Sequence, residues 1–373
     1  MAKHRIAWLP GDGIGNDVME AAKMVLDTLR LDAEYIPADI GWEFWKTEGN
    51  PLPKRTIEIL NNTDCALFGA ITSKPKDEAA KELDPGLQGK GYVYSSPIVG
   101  LRQLLNLHTN MRPCYAFPGN PLNYKDDIDL VIFRENTEGM YSGIEFRPMP
   151  RELREYMAGY NPKMRKFDHV EDDDMAVTLR VITKKGAEAI IRDAFAYADK
   201  YNKPTVTVVE KANVLRETSG LFLEVAREIA SGYPDIEMWV TNIDAMCMWL
   251  VKNPEKYGVI VTSNLFGDIT SDLSAQLVGG LGFACAANIG DNYAVFEPTH
   301  GSAPKYAGKN IANPTAMLLS VRLMLQYLKE KEKADILYRA VSDVIAEGKV
   351  RTRDMGGSAT TIEMAKAVIE KLK

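Results

Sequence analysis

Asp268 and Asp272 stand four residues apart in the run N-L-F-G-D-I-T-S-D-L-S-A-Q-L-V-G-G, from Asn264 to Gly280. A short β-branched run, Gly258 to Ser263, leads into it and a glycine pair closes it, so the sequence predicts a buried strand delivering a helix. On that helix the two carboxylates share a face, about 5–6 Å apart, and repel unless a cation or arginines lie between them. Oxygen ligands of this kind suit a hard divalent ion, Mg²⁺ or Mn²⁺. The plainer reading of the pair alone is one acid complementing the helix dipole and a second in solvent. Leu265, Ile269, Leu273 and Leu277 form a neighbouring apolar stripe, which predicts that the helix packs inward through them.

Three arginines recur at element ends: Arg102 in G-L-R-Q-L-L, Arg112 in M-R-P and Arg134 after the strand V-I-F. A guanidinium pairs two-to-two with a carboxylate, so three of them suit a di- or tricarboxylate, provided that they converge; singly, each reads as a surface ion-pairing residue. Tyr141 follows a strand end, where a turn can aim it into a cleft. Lys211 follows the strand Thr205 to Val209, and a lysine there that loses hydration can serve as a general base, although snorkelling to solvent is the plainer reading. Asp244, in T-N-I-D-A-M-C-M, reads as a helix N-cap or as a further carboxylate for the pair.

The elements that must position these side chains alternate along the chain. Arg5 to Pro10 reads as a strand, Gly11-Asp-Gly-Ile-Gly15 as a tight turn and Val18 to Leu29 as a helix. Asn16 breaks the G-x-G-x-x-G dinucleotide fingerprint and no G-K-[ST] follows, so a structural turn near a site is expected, not a pyrophosphate cradle. Cys65 to Gly69 reads as a strand, 70–92 as a polar surface loop and Ile98 to Leu107 as a helix. Asp129 to Phe133 and Thr205 to Val209 read as strands, Thr183 to Tyr201 as a helix, and 147–174, rich in charge, Pro and Met, as a protruding arm. This alternation is that of an α/β protein with a substantially parallel sheet.

Composition bounds the partners. The chain has 373 residues with a net charge of −6, which argues against broad nucleic-acid binding and requires a local basic pocket for any anionic ligand. Cys65, Cys114, Cys247 and Cys285 are scattered, with neither a zinc spacing nor a disulfide framework. No run approaches the roughly 20 apolar residues of a membrane span, so a soluble, cytoplasmic protein is expected.

The residues then resemble a family. P-G-D-G-I-G, L-R, M-R-P, R-E-N-T-E-G-M-Y-S-G, E-K-A-N-V-L, D-A-M, N-L-F-G-D-I-T-S-D, E-P-T-H-G-S-A-P-K-Y-A-G, N-P-T-A and D-M-G-G occur in the order seen in the β-decarboxylating dehydrogenases of 2-hydroxy acids, the isocitrate/isopropylmalate dehydrogenase family. The resemblance covers essentially the whole length. It implies a three-layer α/β/α fold with a large discontinuous coenzyme-binding domain, residues 1–107 and 279–373. A smaller domain, 108–278, would carry a dimerisation arm at about 145–178.

By similarity, Arg102, Arg112 and Arg134 would hold substrate carboxylates, with Ser96 at the distal one, and Asp244, Asp268 and Asp272 would hold Mg²⁺ or Mn²⁺. Lys211 would take the hydroxyl proton as hydride leaves, and Tyr141 would protonate the enolate left by CO₂. Lys211 and Asp244 would serve a neighbouring subunit's site, which implies a homodimer or larger assembly. His300, Gly301, Ser302, Ala303, Lys305, Tyr306 and Asn313 would bind the coenzyme. Lys305 and Tyr306 favour a 2′-phosphate and hence NADP, whereas the stretch Thr352 to Gly357 is similar to NAD users. S-G-I-E after Tyr141 and Ser96 favour isocitrate. Ile98, in place of an expected asparagine, is more like homoisocitrate dehydrogenases and could favour a longer or branched apolar substituent. N-T-E-G argues against 3-isopropylmalate. The resemblance also admits a non-catalytic regulatory subunit, but Tyr141, Lys211, Asp244, Asp268 and Asp272 are all present.

Overall fold

A computed structural model describes residues 2–372. Its strands are β1 (His4–Gly11), β2 (Ala33–Pro37), β3 (Cys65–Ala70), β4 (Thr109–Tyr115), β5 (Asp129–Glu135), β6 (Glu145–Phe146), β7 (Val177–Thr178), β8 (Thr205–Glu210), β9 (Glu237–Asn242), β10 (Val259–Thr262), β11 (Cys285–Ile289) and β12 (Ala294–Pro298). Ten of them form one sheet in the order β2-β1-β3-β12-β11-β4-β5-β10-β8-β9. Both wings are parallel, as the alternation predicts, but β12–β11, β11–β4 and β4–β5 pair antiparallel in the middle. Residues 290–293 between β11 and β12 are too few for a crossover, so those strands must form a hairpin.

Helices cover both faces. Along β5, Val131 and Phe133 join an apolar cluster with Ile190 and Phe195 of the Lys184–Lys200 helix and Phe222 of the Arg216–Ala230 helix. Leu130 and Ile132 join another with Met246 and Leu250 of the Ile243–Lys252 helix and with Leu277. That period of two is why the strand reads as an unbroken apolar run: it is buried on both sides. On the other wing the Ile14–Thr28, Thr315–Tyr327, Lys331–Glu347 and Thr361–Lys371 helices share a cluster that includes Val18, Phe296, Leu318, Leu337 and Met364.

Residues 145–178 begin and end in a two-stranded ribbon, β6–β7, that encloses the Arg151–Tyr160 helix. Its side chains are mostly exposed, Tyr156 and Tyr160 among them, and Met149 and Met175 are its buried anchors. All four cysteines are unpaired thiols. No described helix is long and apolar enough to cross a membrane.

Three local expectations need correction. The stretch 70–92 is not simply loop: K-D-E-A-A-K after Pro75, good helix formers with Asp77 placed in the favourable first turn, makes the Lys76–Lys81 helix. It docks through buried Ala79 on Trp42, Trp45 and Tyr94, and the Trp45 indole donates to the Ala79 carbonyl at 2.9 Å. The helix expected to reach Leu107 ends at Leu104, and Asn106 follows in the left-handed conformation that asparagine tolerates. The Asn264–Leu277 helix packs through only the far half of its leucine and isoleucine stripe, where Leu273 and Leu277 meet the Leu130 and Ile132 cluster. Gly267, Thr270, Ser271 and Ser274 are the buried face and Ile269 is 49% exposed. Small residues let this helix approach the sheet closely: a Cβ on Gly267 would lie 2.6 Å from the Arg134 Cβ.

Candidate active site

The antiparallel centre of the sheet brings distant residues into register. Asn110 on β4 lies opposite Arg134 on β5 and opposite Asn288 on β11, so the three project from one face, with Arg112 two residues further along. These groups are deeply buried, Arg134 at 1% exposure and Asn288 at 0%. A buried guanidinium is tolerated only with its donors satisfied. The Asn288 Oδ1 accepts from the Arg102 Nε at 3.0 Å, the Asn110 Nδ2 at 2.7 Å and the Asn136 Nδ2 at 3.0 Å. Its Nδ2 donates to the Glu297 Oε1 at 2.8 Å, which also accepts from the Arg102 Nη2 at 3.2 Å. The Arg112 Nε donates to the Asn110 Oδ1 at 2.8 Å and its Nη1 to the Ser271 Oγ at 2.7 Å. Arg134 gives its Nε and Nη2 to the Asn264 Oδ1, at 3.0 and 2.8 Å.

The two aspartates complete this face. Arg134 Nη1 and the Tyr141 hydroxyl donate to opposite oxygens of Asp268, the Arg112 Nη1 stands 3.6 Å from Asp268, and it donates to the Asp272 Oδ1 at 3.2 Å. Burial alone would raise the Asp268 carboxyl, but Arg134, Arg112, the Tyr141 hydroxyl and Arg102 together hold it below the ordinary value. Burial raises Asp272, with the Asp268 charge adding to it against Arg112. Burial and the hydrogen bond to Asp268 raise the Tyr141 phenol, so it keeps its proton at neutral pH. Its ring also lies 5.0 Å from the Arg134 guanidinium carbon.

The three arginines, Tyr141, Asp268 and Asp272 therefore converge. Lys211 and Asp244 do not join them within the chain; they form an ion pair with each other, and Asp244 is held below the ordinary carboxylate range by the Lys211 hydrogen bond. Their strands end level with β5 nonetheless, since Arg134, Thr262, Val209 and Thr241 are successive register partners across β5, β10, β8 and β9. Among the described residues no three His, Cys, Asp or Glu groups form a metal-binding cluster. Asp268 and Asp272 supply the hard oxygen donors that a divalent cation requires, and the Asp272 side chain, 61% exposed, is open to a ligand.

Ser96 is half-buried at the start of the Pro97–Leu104 helix, where its hydroxyl caps nothing. Ile98 belongs to the apolar cluster with Leu52, Leu101 and Leu107, at 9% exposure. Its side chain is used in packing, so a role in receiving an apolar substituent does not follow.

The residues expected to bind a coenzyme lie in a second place. His300, Tyr306 and Asn313, together with Ile14, Gly282, Arg353 and Asp354, line a cavity of about 420 Å³. The Asn313 Nδ2 donates to the Asp354 Oδ2 at 2.9 Å. Burial lowers the His300 imidazole, so the ring is neutral at pH 7. The Gly11–Gly15 turn abuts it: the Ile14 N–H donates to the Ser302 carbonyl at 2.8 Å, and Gly13, at φ +56°, would press a Cβ to 3.2 Å from the Ser302 Cβ. The Ser302 hydroxyl bonds the Thr72 hydroxyl at 2.7 Å, and Ala303 has positive φ. Gly301 is next to His300, whose Nδ1 lies 3.0 Å from the Gly301 carbonyl. Lys305 is exposed on the short turn Pro304–Tyr306 and does not line the cavity, whereas Arg353 does.

Sequence reasoning passed over Asn110, Asn136, Asn288, Glu297, Arg180 and Glu210. Only Asn288 carried a signal, a lone amide inside the apolar strand C-A-A-N-I. Arg180 bonds both oxygens of buried Glu210, at 3.1 and 2.9 Å, and the Ser263 Oγ at 2.8 Å. It thereby ties the residue before Lys211 to the start of the Asp268 helix.

A family model for isocitrate/isopropylmalate dehydrogenase matches residues 5–368. The DlpA protein of Legionella pneumophila is 42% identical over 98% of this chain, which spans 58% of that protein's length. A 3-isopropylmalate dehydrogenase of Methanothermobacter thermautotrophicus is 42% identical over the whole of both chains, and an isocitrate/homoisocitrate dehydrogenase of Thermus thermophilus is 42% identical over 99% of both. A crystal structure of isocitrate dehydrogenase from Methylococcus capsulatus superposes with a TM-score of 0.86 at 39% identity, covering 99% of each chain.

Proposed function

The chain belongs to the isocitrate/isopropylmalate dehydrogenase family, a family of metal-dependent decarboxylating dehydrogenases, and from that premise we propose that it oxidatively decarboxylates isocitrate to 2-oxoglutarate and CO₂ with NADP. The observation that carries this reading is the convergence of Arg102, Arg112 and Arg134 on the carboxylates of the Asn264–Leu277 helix, beside a protonated tyrosine. Three fixed guanidiniums suit a tricarboxylate, and their amide and hydroxyl partners hold them in place before substrate arrives.

In this reading Asp268, Asp272 and a second copy's Asp244 would hold a divalent ion, which would supply Lewis-acid polarisation, and a nicotinamide coenzyme would supply the hydride acceptor. The arginines grip and orient the carboxylates. Tyr141 holds a proton at its Oη, kept there by burial and by Asp268, and delivers it to the carbon that loses CO₂. Lys211 of the second copy takes the hydroxyl proton, since within one chain it pairs with Asp244 and stands apart from Tyr141. The working unit is accordingly a homodimer, with residues 1–107 and 279–373 as the coenzyme lobe, 108–278 as the other, and 145–178 as the arm between copies. The coenzyme occupies the cavity of His300, Tyr306 and Asn313, where Tyr306 and Arg353, with Lys305 at the rim, read a 2′-phosphate. Four unpaired thiols accord with the cytoplasm as its location.

A second reading, homoisocitrate, is favoured by the isocitrate/homoisocitrate dehydrogenase of Thermus thermophilus, 42% identical over 99% of both chains. The deciding experiment is steady-state turnover with isocitrate, homoisocitrate and 3-isopropylmalate, each with NAD and NADP, with and without Mg²⁺. The expected result is the highest kcat/KM for isocitrate with NADP and none without metal. A clear win for homoisocitrate moves the assignment to the second reading. Loss of NADP preference in an Arg353→Ala, Lys305→Asp variant supports the phosphate-reading role, and equal loss with both coenzymes removes it.

A further inference from the structure

The strands that carry the arginines also build a cavity on their other face. Alternation turns Met111 and Tyr115 of β4, and Ala287 and Ile289 of β11, away from Arg112 and Asn288. Those residues, with the ends of the Lys184–Lys200, Thr315–Tyr327 and Lys331–Glu347 helices, line a cavity of about 720 Å³. Its walls are tyrosine rings: Tyr115 and Tyr338 stand edge to face at 6.3 Å, and Tyr197 and Tyr201 lie 4.4 Å apart.

Arg322 is the cation stacked within this aromatic space; Lys200 and Lys203 also line the cavity, Lys200 with its Nζ 5.2 Å from the centre of the Tyr201 ring. The Arg322 guanidinium carbon sits 4.1 Å from the centre of the Tyr338 ring and 5.8 Å from that of Tyr115. Stacking uses the flat of the guanidinium and leaves its edge of N–H donors. Among the described residues its buried Nε has no hydrogen-bond partner. The rim acid Asp129 is taken by Lys203 at 2.6 Å. The Tyr115 and Tyr197 hydroxyls, 3.4 Å apart, are neutral, because burial holds both phenols above their usual range. The cavity thus offers ring faces, neutral hydroxyls and the Arg322 guanidinium edge, with Asp126, Asp127, Asp129, Lys200 and Lys203 at its border.

We propose that this cavity is a binding site for a small planar aromatic monocarboxylate. The carboxylate lies against the edge of Arg322 and the ring among the tyrosines, where aromatic pairs favour edge and offset contacts. Lys203 is paired with Asp129 and Lys200 is set over the Tyr201 ring, so the guanidinium edge left open matches one carboxylate. The site therefore favours a monocarboxylate over nucleotides and over the tricarboxylate proposed for the opposite face, with Asp126 and Asp127 at the border opposing further negative charge. Nothing in this inference depends on which acid is the substrate.

The test is calorimetric titration of the full-length protein with 2-naphthoate, and with its neutral analogue 2-naphthylmethanol, in the presence and absence of excess isocitrate with Mg²⁺. We expect one 2-naphthoate per chain, undisturbed by isocitrate, and affinity weakened about tenfold or more in Arg322→Met, as a lost charge-assisted pair requires. Arg322→Lys should recover part of that loss, and 2-naphthylmethanol should not distinguish Arg322→Met from the native protein. Should Arg322→Met fail to fold, Tyr338→Leu serves instead and should weaken both probes. No binding by the native protein up to about 5 mM, displacement by isocitrate, or an unchanged affinity in both variants would overturn the proposal.

Discussion

The two faces of β4 and β11 solve the problem of burying arginine in opposite ways. On one face three guanidiniums meet three carboxylates, Asp268, Asp272 and Glu297, and are pinned through Asn110, Asn264 and Asn288. On the other, Arg322 rests on a tyrosine ring with its Nε unbonded. The difference teaches what each face is ready for. A network whose donors are already aimed loses little freedom when a polyanion arrives, which is the condition for fast chemistry. A stacked guanidinium with a free edge is suited to a single carboxylate, and nothing beside it moves a proton.

The sharpest way to break this contrast is Asp268→Asn. It removes the charge that pairs with Arg134 and that would ligate the metal, so kcat/KM should fall about 1,000-fold or more, while 2-naphthoate affinity stays within about twofold. Turnover within about tenfold of native would mean that the chemistry runs elsewhere. Tyr141→Phe comes next. It removes the proton donor and leaves the arginines, so kcat should drop about 100-fold with substrate affinity nearly intact, checked by pairing turnover with isocitrate titration. Asn288→Leu then tests whether the network is positioned by one amide. Three donors lose their acceptor, and chemical denaturation should report about 2–4 kcal/mol of lost stability; a cost under about 0.5 kcal/mol would show that the arginines hold themselves.

The smallest effect expected is one of pH. The Asp268 carboxyl lies below its unfolded value, so its contribution to stability is fully present above that value and is lost as pH falls through the folded one. The stability gap between native protein and Asp268→Asn should therefore shrink as pH falls below the ordinary carboxylate range, in denaturation curves run without metal. A gap that widens on acidification would contradict the arginine pairing. By contrast, 2-naphthoate binding should be flat between pH 5 and pH 8, a range in which neither a guanidinium nor an aromatic carboxylate changes charge.

Much of this was legible beforehand because local rules governed it. The strand Val259–Thr262 delivering the Asn264–Leu277 helix follows from β-branched residues, helical spacing and a terminal glycine pair. The apolar stripe of that helix was right for Leu273 and Leu277 and wrong for Ile269, because periodicity reports which residues are alike and not which face is covered. Here the need for close approach to Arg134 put Gly267 and small hydroxyl residues inside and left Ile269 exposed. The Lys76–Lys81 helix was hidden among charges and prolines, since its burial rests on Ala79 and on two tryptophans more than 30 residues away.

The amino-acid sequence by itself determined the α/β class, the ordered motifs of the family and the residue types able to hold a polycarboxylate and a hard cation, because these depend on neighbours along the chain. Only the tertiary structure decided that three arginines share one face, that Asn288 anchors Arg102 directly and Arg112 through Asn110, and that Lys211 and Asp244 stand apart from Asp268 within one chain. Those outcomes rest on the register of β4, β5 and β11, the last brought beside β4 from more than 150 residues away, and no pattern of local spacing encodes which face of a strand its partner will present.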